Sequence, residues 1–253
     1  MRFFLLPVFL VIASIGCMQS GPAGPQAPSQ FKILVFSKTT GFRHDSIPDG
    51  IAMIRNLGAQ NQFAVDTSED ASVFSDANLA NYKAVVFLNT SGDVLNDMQK
   101  SAFQRYIQAS GGFVGIHSAS DTEHGWPWYG GLVGAYFLDH PAVQPATIKI
   151  EDATNPSTSF LGTAWRRTDE WYNFATNPRG TVHVLAALDE STYSGGSMGT
   201  DHPINWCQTY QGGRSWYTAG GHTMEAYAEP LFQQHVLGGI QYAAGTVPGN
   251  CQP

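Results

Sequence analysis

The chain reads as an α/β domain of three layers, a doubly wound and mostly parallel sheet with helices on both faces, and three observations predict it. Short apolar runs rich in β-branched residues recur at 32–36, 84–88 and 113–116, the pattern of strands buried on both faces. Between them lie segments whose apolar residues fall at helical spacing. Strand and helix alternate, which requires right-handed crossovers and hence parallel neighbours.

Lys32-Ile33-Leu34-Val35-Phe36 opens the domain and runs into a polar turn, Ser37 to His44. Ser46 ahead of Pro48 reads as an N-cap with an early-turn proline. Ile51, Ile54 and Leu57 stripe the helix that follows, and Gly58 marks its end. Phe63 to Thr67 is a second strand and Ala84 to Leu88 a third. Asn96 with Gln99 has the form of a capping box for a helix carrying Met98, Phe103, Tyr106 and Ile107, which Gly111-Gly112 stops. Phe113 to Ile116 is a fourth strand. The second half is less regular. Strands are expected at Ala146 to Ile150, Thr181 to Leu188 and Ser215 to Thr218, and Pro230 opens a last helix through Leu231, His235, Leu237 and Ile240. No repeat and no second linker intervene, so 31–245 is one domain with an irregular insert after Gly125, followed by a tail at 246–253.

Ahead of the domain, Met1-Arg2, the apolar run Phe3 to Ile15, then Gly16 and Cys17 have the form of a signal peptide over 1–17. The run is shorter than the ~20 residues that cross a bilayer as a helix. Ser14-Ile15-Gly16-Cys17 resembles a bacterial lipoprotein acceptor, with serine where leucine or valine is usual, so a plain leader and a lipid anchor at Cys17 both stay open. Residues 18–30, rich in Gly, Pro, Ser and Gln, read as a flexible tether. The expected location is extracellular, periplasmic or membrane-anchored. In such an oxidising setting Cys207 and Cys251 are a candidate disulfide.

A formal net charge of −7 argues against nucleic acid and anionic membranes as partners. Only 13 % of residues are charged while six are Trp and ten Tyr, which suits an uncharged polar ligand such as a sugar, and suits an aromatic core equally.

In an open parallel sheet, ligands bind beyond the carboxyl ends of the strands. That rule brings together three loops: Arg43-His44-Asp45, Asn89 to Asp93, and His117 to His124. Gly115-Ile116-His117-Ser118 is a strand entering a sharp turn, like a nucleophile elbow, but with histidine at the exposed position and no cysteine near. Covalent acyl chemistry is therefore disfavoured, and with it an amidotransferase or peptidase.

Several ordered segments resemble the ThuA-like, trehalose-utilisation family. They are Gly41 to Ile47, Gly112 to Ser120, Gly130 to Gly134 with His140-Pro141, Asp169-Glu170-Trp171-Tyr172, Asp201-His202-Pro203, and Gly213 to Tyr217 with Gly220-Gly221-His222-Thr223. The resemblance spans roughly Phe31 to Gly245. It implies a flavodoxin-like sheet similar to class I glutamine amidotransferases without their catalytic cysteine, and a link to disaccharides or glycosides, in some members 3-keto sugars. Members in sugar-utilisation operons are often cytoplasmic, from which the leader here departs.

The same segments hold His44, His117, His140, His202 and His222, with His124 just past Ser120 and with Asp45, Asp121, Glu123, Asp139, Glu170 and Asp201 in or beside them. Imidazole and carboxylate suit zinc, iron or manganese, and no short spacing such as HExxH occurs, so any site is assembled from distant loops. A divalent metal, zinc or manganese, is expected at His140 and His222, with a metal-free polar pocket the alternative; no nucleotide is expected. His117 and Glu170 are the expected catalytic acid/base pair. Arg43, His44, Asp121, Trp171, Tyr172 and Arg214 are the expected substrate contacts, the aromatics stacking on sugar faces. Structural hydrogen bonds would equally explain His124, His140 and His202, while His183 and His235 read as core or surface. The function implied is a hydrolase, lyase or isomerase acting on a glycoside or keto-sugar, the alternative a non-catalytic carbohydrate-binding module.

Overall fold

A computed structural model describes residues 30–253 and Met1; the leader, Cys17 and nearly all of the tether lie outside the described residues. Nine strands form one sheet. In chain order these are β1 (Phe31–Phe36), β2 (Phe63–Ser68), β3 (Ala84–Leu88), β4 (Gly112–Ile116), β6 (Gln144–Ile150), β7 (Ala164–Asp169), β9 (His183–Asp189), β10 (Pro203–Tyr210) and β11 (Gly213–Thr218). They lie side by side as β2-β1-β3-β4-β11-β10-β9-β6-β7, and β5 (Phe137–Asp139) pairs with β8 (Asn173–Phe174) as a separate ribbon. The five strands from β2 to β11 are parallel, and those from β11 onward alternate in direction.

The helices are α1 (Ile47–Asn61), α2 (Asp76–Leu79), α3 (Asp97–Gln108), α4 (Pro127–Val133), α5 (Met224–Ala228) and α6 (Pro230–Ala243). Helices α1, α5 and α6 pack together on one face; α3 and α4 lie against β11 with α2 packed on α3. This is the expected three-layer α/β class. The central parallel strands β3 and β4 are buried along their whole length because helices cover both faces, while the edge strand β2 is only partly buried.

The capping box at α3 is present, with Asn96 Oδ1 accepting from the Gln99 amide at 3.0 Å and Gln99 Oε1 from the Asn96 amide at 2.9 Å. Met98, in that first turn, is exposed. Two local expectations are corrected. Helix α1 does not end at Gly58 but continues to Asn61, where Gln62 takes the left-handed conformation (φ 60°) and closes it. Ser46 flanks α1 without a side-chain cap; its hydroxyl instead accepts from Asn89 Nδ2 at 3.2 Å.

The insert after Gly125 is more regular than expected, since it supplies most of the antiparallel strands. Strand β7, Ala-Trp-Arg-Arg-Thr-Asp, alternates exposed and buried, so its apolar content is low although its inner face is fully packed. Cys207 on β10 is disulfide-bonded to Cys251, fastening the tail to the sheet. No described helix is long and apolar enough to cross a membrane.

Candidate metal and catalytic site

His117 follows β4 directly. Its backbone is left-handed (φ 52°), which turns the side chain back over the strand ends, as in an elbow. The ring is fully buried, and Nδ1 lies 2.7 Å from the carbonyl oxygen of Ala219, just past the neighbouring β11. A carbonyl only accepts, so Nδ1 carries the proton and the Nε2 lone pair points away from β11.

Three groups meet that lone pair. His44, from the turn after β1, places Nε2 at 3.1 Å. His222, from the loop after β11, places Nδ1 at 3.3 Å. Glu170, just past β7, places Oε2 at 3.4 Å from His117 Nε2 and 3.2 Å from His222 Nδ1. The four ligand atoms all lie within 4.8 Å of one another. A tetrahedral ion with bonds of about 2.0–2.1 Å has ligand–ligand edges of about 3.3–3.4 Å, so the four distances have the scale of such a shell. Three imidazoles and a carboxylate suit zinc, manganese or iron.

Burial, together with the neighbouring His117 and His222, lowers the His44 ring to about 3, so it is neutral at physiological pH. Burial alone would raise Glu170, but the adjacent His117 ring and the hydrogen bond from His222 outweigh it and hold the carboxyl well below the usual carboxylate range. The same bond raises His222 against the opposing effect of its burial. The anion and neutral imidazole that a cation needs are thus the favoured forms of Glu170 and His44.

A second set of residues holds the ligands in place. The buried carboxylate of Asp169 accepts from the amides of Gly221 (2.8 Å), His222 (3.1 Å) and Glu170 (3.0 Å), and from Arg167 Nη1 (2.8 Å). It therefore ties the His222 loop to the Glu170 loop. Gly220 and Gly221 are required by this clamp. A Cβ on Gly220 would stand 2.5 Å from Arg167 Nη1, and Gly221 has φ 112° with the Tyr227 hydroxyl 2.8 Å from any Cβ. Asn89 adds a bond from Nδ2 to the Gly221 carbonyl (3.1 Å), and His202 Nε2 lies 2.8 Å from the Tyr172 carbonyl. The His202 bond is the structural role the sequence offered for it, whereas Asp169 and Asn89 were given no such role; the acidic pair Asp169-Glu170 was the available signal.

Of the expected site residues, His117, His44, Glu170 and His222 come together. His140 lies one layer out: it is exposed, and its Nδ1 is 2.9 Å from Glu170 Oε1, the oxygen turned away from the cluster. It therefore does not share the four-atom set with His222. Tyr172 is buried with its ring 4.1 Å from that of His117, covering the site from the side. Asp121 faces His124 at 2.9 Å.

Three placements correct the expectation. Trp171 is wholly buried with Nε1 donating to the Gln144 carbonyl, because alternation past β7 turns it into the core and not onto a ligand. Arg43 is exposed and forked onto Glu69 at 2.7 and 3.2 Å. Arg214 sits at the start of β11, paired with Gly112, and so lies at the opposite edge of the sheet. Among the other acids, Glu123 holds the Val94 and Leu95 amides, Asp139 accepts from Asn173 and Asp201 pairs with Arg179. His235 is core, His183 pairs with Asp152, and no free thiol remains among the described residues.

The cluster opens on a cleft of about 270 Å³ lined by Phe42, His44, Asp45, Val143, His222 and Met224, among others. A larger cleft of about 440 Å³, lined by Lys83, Arg105 and Tyr106, lies at the amino ends of β3 and β4 and contains none of the cluster residues.

The family model for ThuA, trehalose utilisation, matches residues 32–243. Among solved structures, a ThuA-like protein from Bacteroides uniformis is similar at a TM-score of 0.72 and 21 % identity, covering 88 % of this chain and 95 % of that one. A ThuA-like protein from Parabacteroides merdae has the same TM-score and identity over 87 % and 91 %. A β-galactosidase from Bacillus circulans sp. alkalophilus is similar at a TM-score of 0.56 and 14 % identity, over 86 % of this chain and 31 % of that one. At these identities the likeness is one of fold. No curated protein sequence matches the chain.

Proposed function

The chain belongs to the ThuA, or trehalose-utilisation, family, and from that premise we propose that it is a carbohydrate-active enzyme. It acts on a glycoside or its keto form through a divalent metal, zinc or manganese, held by His44, His117, Glu170 and His222. The observation that carries the reading is the convergence of three ring nitrogens and one carboxylate oxygen within 4.8 Å at the ligand-binding edge of the sheet. A divalent ion there supplies a Lewis acid for a carbonyl or glycosidic oxygen.

The protein's own groups then divide the work. His117 is committed on both nitrogens, Nδ1 to Ala219 and Nε2 to the cluster, so it serves as a ligand and not as an acid/base group. Glu170 presents Oε2 to the cluster and Oε1 to His140. The exposed His140 ring is placed to carry a proton between Glu170 and solvent or substrate. Asp169 orients Glu170 and His222 through their amides. No step uses a cysteine or serine nucleophile. Export, with or without a lipid at Cys17, belongs to the same proposal.

Metal analysis of purified protein, then turnover of a panel of glycosides and 3-keto-glycosides with and without chelator, tests it. We expect about one equivalent of metal, and His117→Ala and Glu170→Gln to lose metal and turnover together, by 10²-fold or more. Full turnover by metal-free protein would end the metal reading. A shell of four protein ligands also suits a structural ion. A binding protein without turnover is therefore the second reading, favoured if glycan binding persists with no product released.

A further inference from the structure

Exposed large hydrophobic side chains are few among the described residues, and three of them meet at one place. Phe42 (65 % exposed), Val143 (42 %) and Met224 (51 %) all line the cleft that His44 and His222 floor. They come from three separate segments: the turn after β1, the loop before β6 and the start of α5. Nothing in their local structure requires them to be apolar, and a converging exposed apolar surface marks a binding site. The Phe42 ring stands edge-on to His44 with centroids 4.8 Å apart, so the apolar rim is continuous with the ligand cluster. Asp45 and Glu225 are exposed on the same cleft, and no lysine or arginine lines it.

From this rim, and resting on the carbohydrate reading above, we propose that the cleft is an aglycone subsite: it takes a glycoside whose second half is uncharged and apolar, with an aromatic ring against Phe42. A second sugar placed there would find polar partners in Asp45, Glu225 and Thr223, but would set its remaining hydroxyls against Val143 and Met224, which offer no hydrogen bond in return. A phosphorylated or carboxylated group would meet Asp45 and Glu225 with no cation to offset them. An aryl group buries its faces on Phe42, Val143 and Met224 and carries no hydroxyl that needs a partner there.

Isothermal titration of the full-length, metal-replete protein with phenyl glucoside and methyl glucoside, in both anomers, tests this. Wild type should bind the phenyl compound about tenfold more tightly than the methyl one. Phe42→Ala should remove most of that preference while leaving methyl glucoside within about twofold, and Met224→Ser should remove part of it. Because Phe42 is largely exposed, the alanine variant should fold normally; an unchanged circular dichroism spectrum and melting temperature check that point. Equal affinities for the two glucosides in wild type, or a preference that survives Phe42→Ala, overturn the subsite and leave the carbohydrate reading standing. Failure of both glucosides to bind overturns the two together.

Discussion

Replacing Asp169 by asparagine is the sharpest test of how the site is built. The carboxylate is wholly buried and accepts four donors: three amides at 2.8, 3.0 and 3.1 Å and Arg167 Nη1 at 2.8 Å. Asparagine has nearly the same shape but only one acceptor oxygen. With its oxygen toward Glu170 and His222, its amide N–H groups face Arg167 and Gly221, donors against donors. The lost charge-assisted bond is worth about 1.5–3 kcal/mol, and leaving a buried guanidinium short of its partner raises the expected cost to about 3–5 kcal/mol. Arg167 retains Glu229 at 2.8 Å, which argues for the lower end. For a domain of this size, about 3 kcal/mol lowers the melting temperature by roughly 6–12 °C. The amides of Glu170 and His222 would no longer be tied together as firmly, so metal affinity should fall about 10–100-fold. Thermal unfolding followed by circular dichroism, with zinc titrated calorimetrically into the same preparation, reads both effects. A variant within 1 kcal/mol of wild type that binds zinc equally well would refute the clamp.

Two further outcomes follow from groups away from that clamp. Burial lowers His235 to about 3, and burial with the neighbouring histidines does the same for His44. Both are histidines with depressed folded values, so each contributes stability that is present above 6.5 and lost as pH falls toward 3. At pH 5 each should cost roughly 2 kcal/mol relative to pH 7, measurable by urea unfolding of chelator-treated protein, and a flat stability profile across that window would contradict it. The disulfide Cys207–Cys251 closes a separation of 44 residues. Chain-entropy reasoning puts its removal in the double Cys→Ser variant at about 4 kcal/mol, with metal content unchanged, and denaturant midpoints that do not move would count against it.

The parallel half was legible because its strands are apolar on both faces and its loops could be placed by rule at one edge. His44 and His117 followed from that placement, whereas Glu170 was marked by its aromatic neighbours and by the family resemblance. The antiparallel half was not, because β7 hides an inward Trp165, Arg167 and Asp169 among outward polar residues, and buried charge does not register as strand pattern. Sequence distance also conceals which ligands share an atom: His140 and Glu170 lie close, yet through the oxygen that faces away from His117. Trp171 failed as a stacking platform because in extended chain its neighbours Glu170 and Tyr172 turn to the site and it must turn away. Arg214 failed because a strand has two ends and only one carries the site.

The central position of β11 has a consequence for how the molecule is made. It lies between β4 and β10, joining the parallel to the antiparallel strands, yet it is the last strand in the chain. During synthesis both halves wait with an open edge until residues beyond 213 emerge, and pairing β4 with β11 closes a loop of about a hundred residues, a slow and entropically costly step. His222 arrives with that same segment. The four side chains cannot meet before the sheet is sealed, so the His–Glu cluster assembles only after β11 has docked.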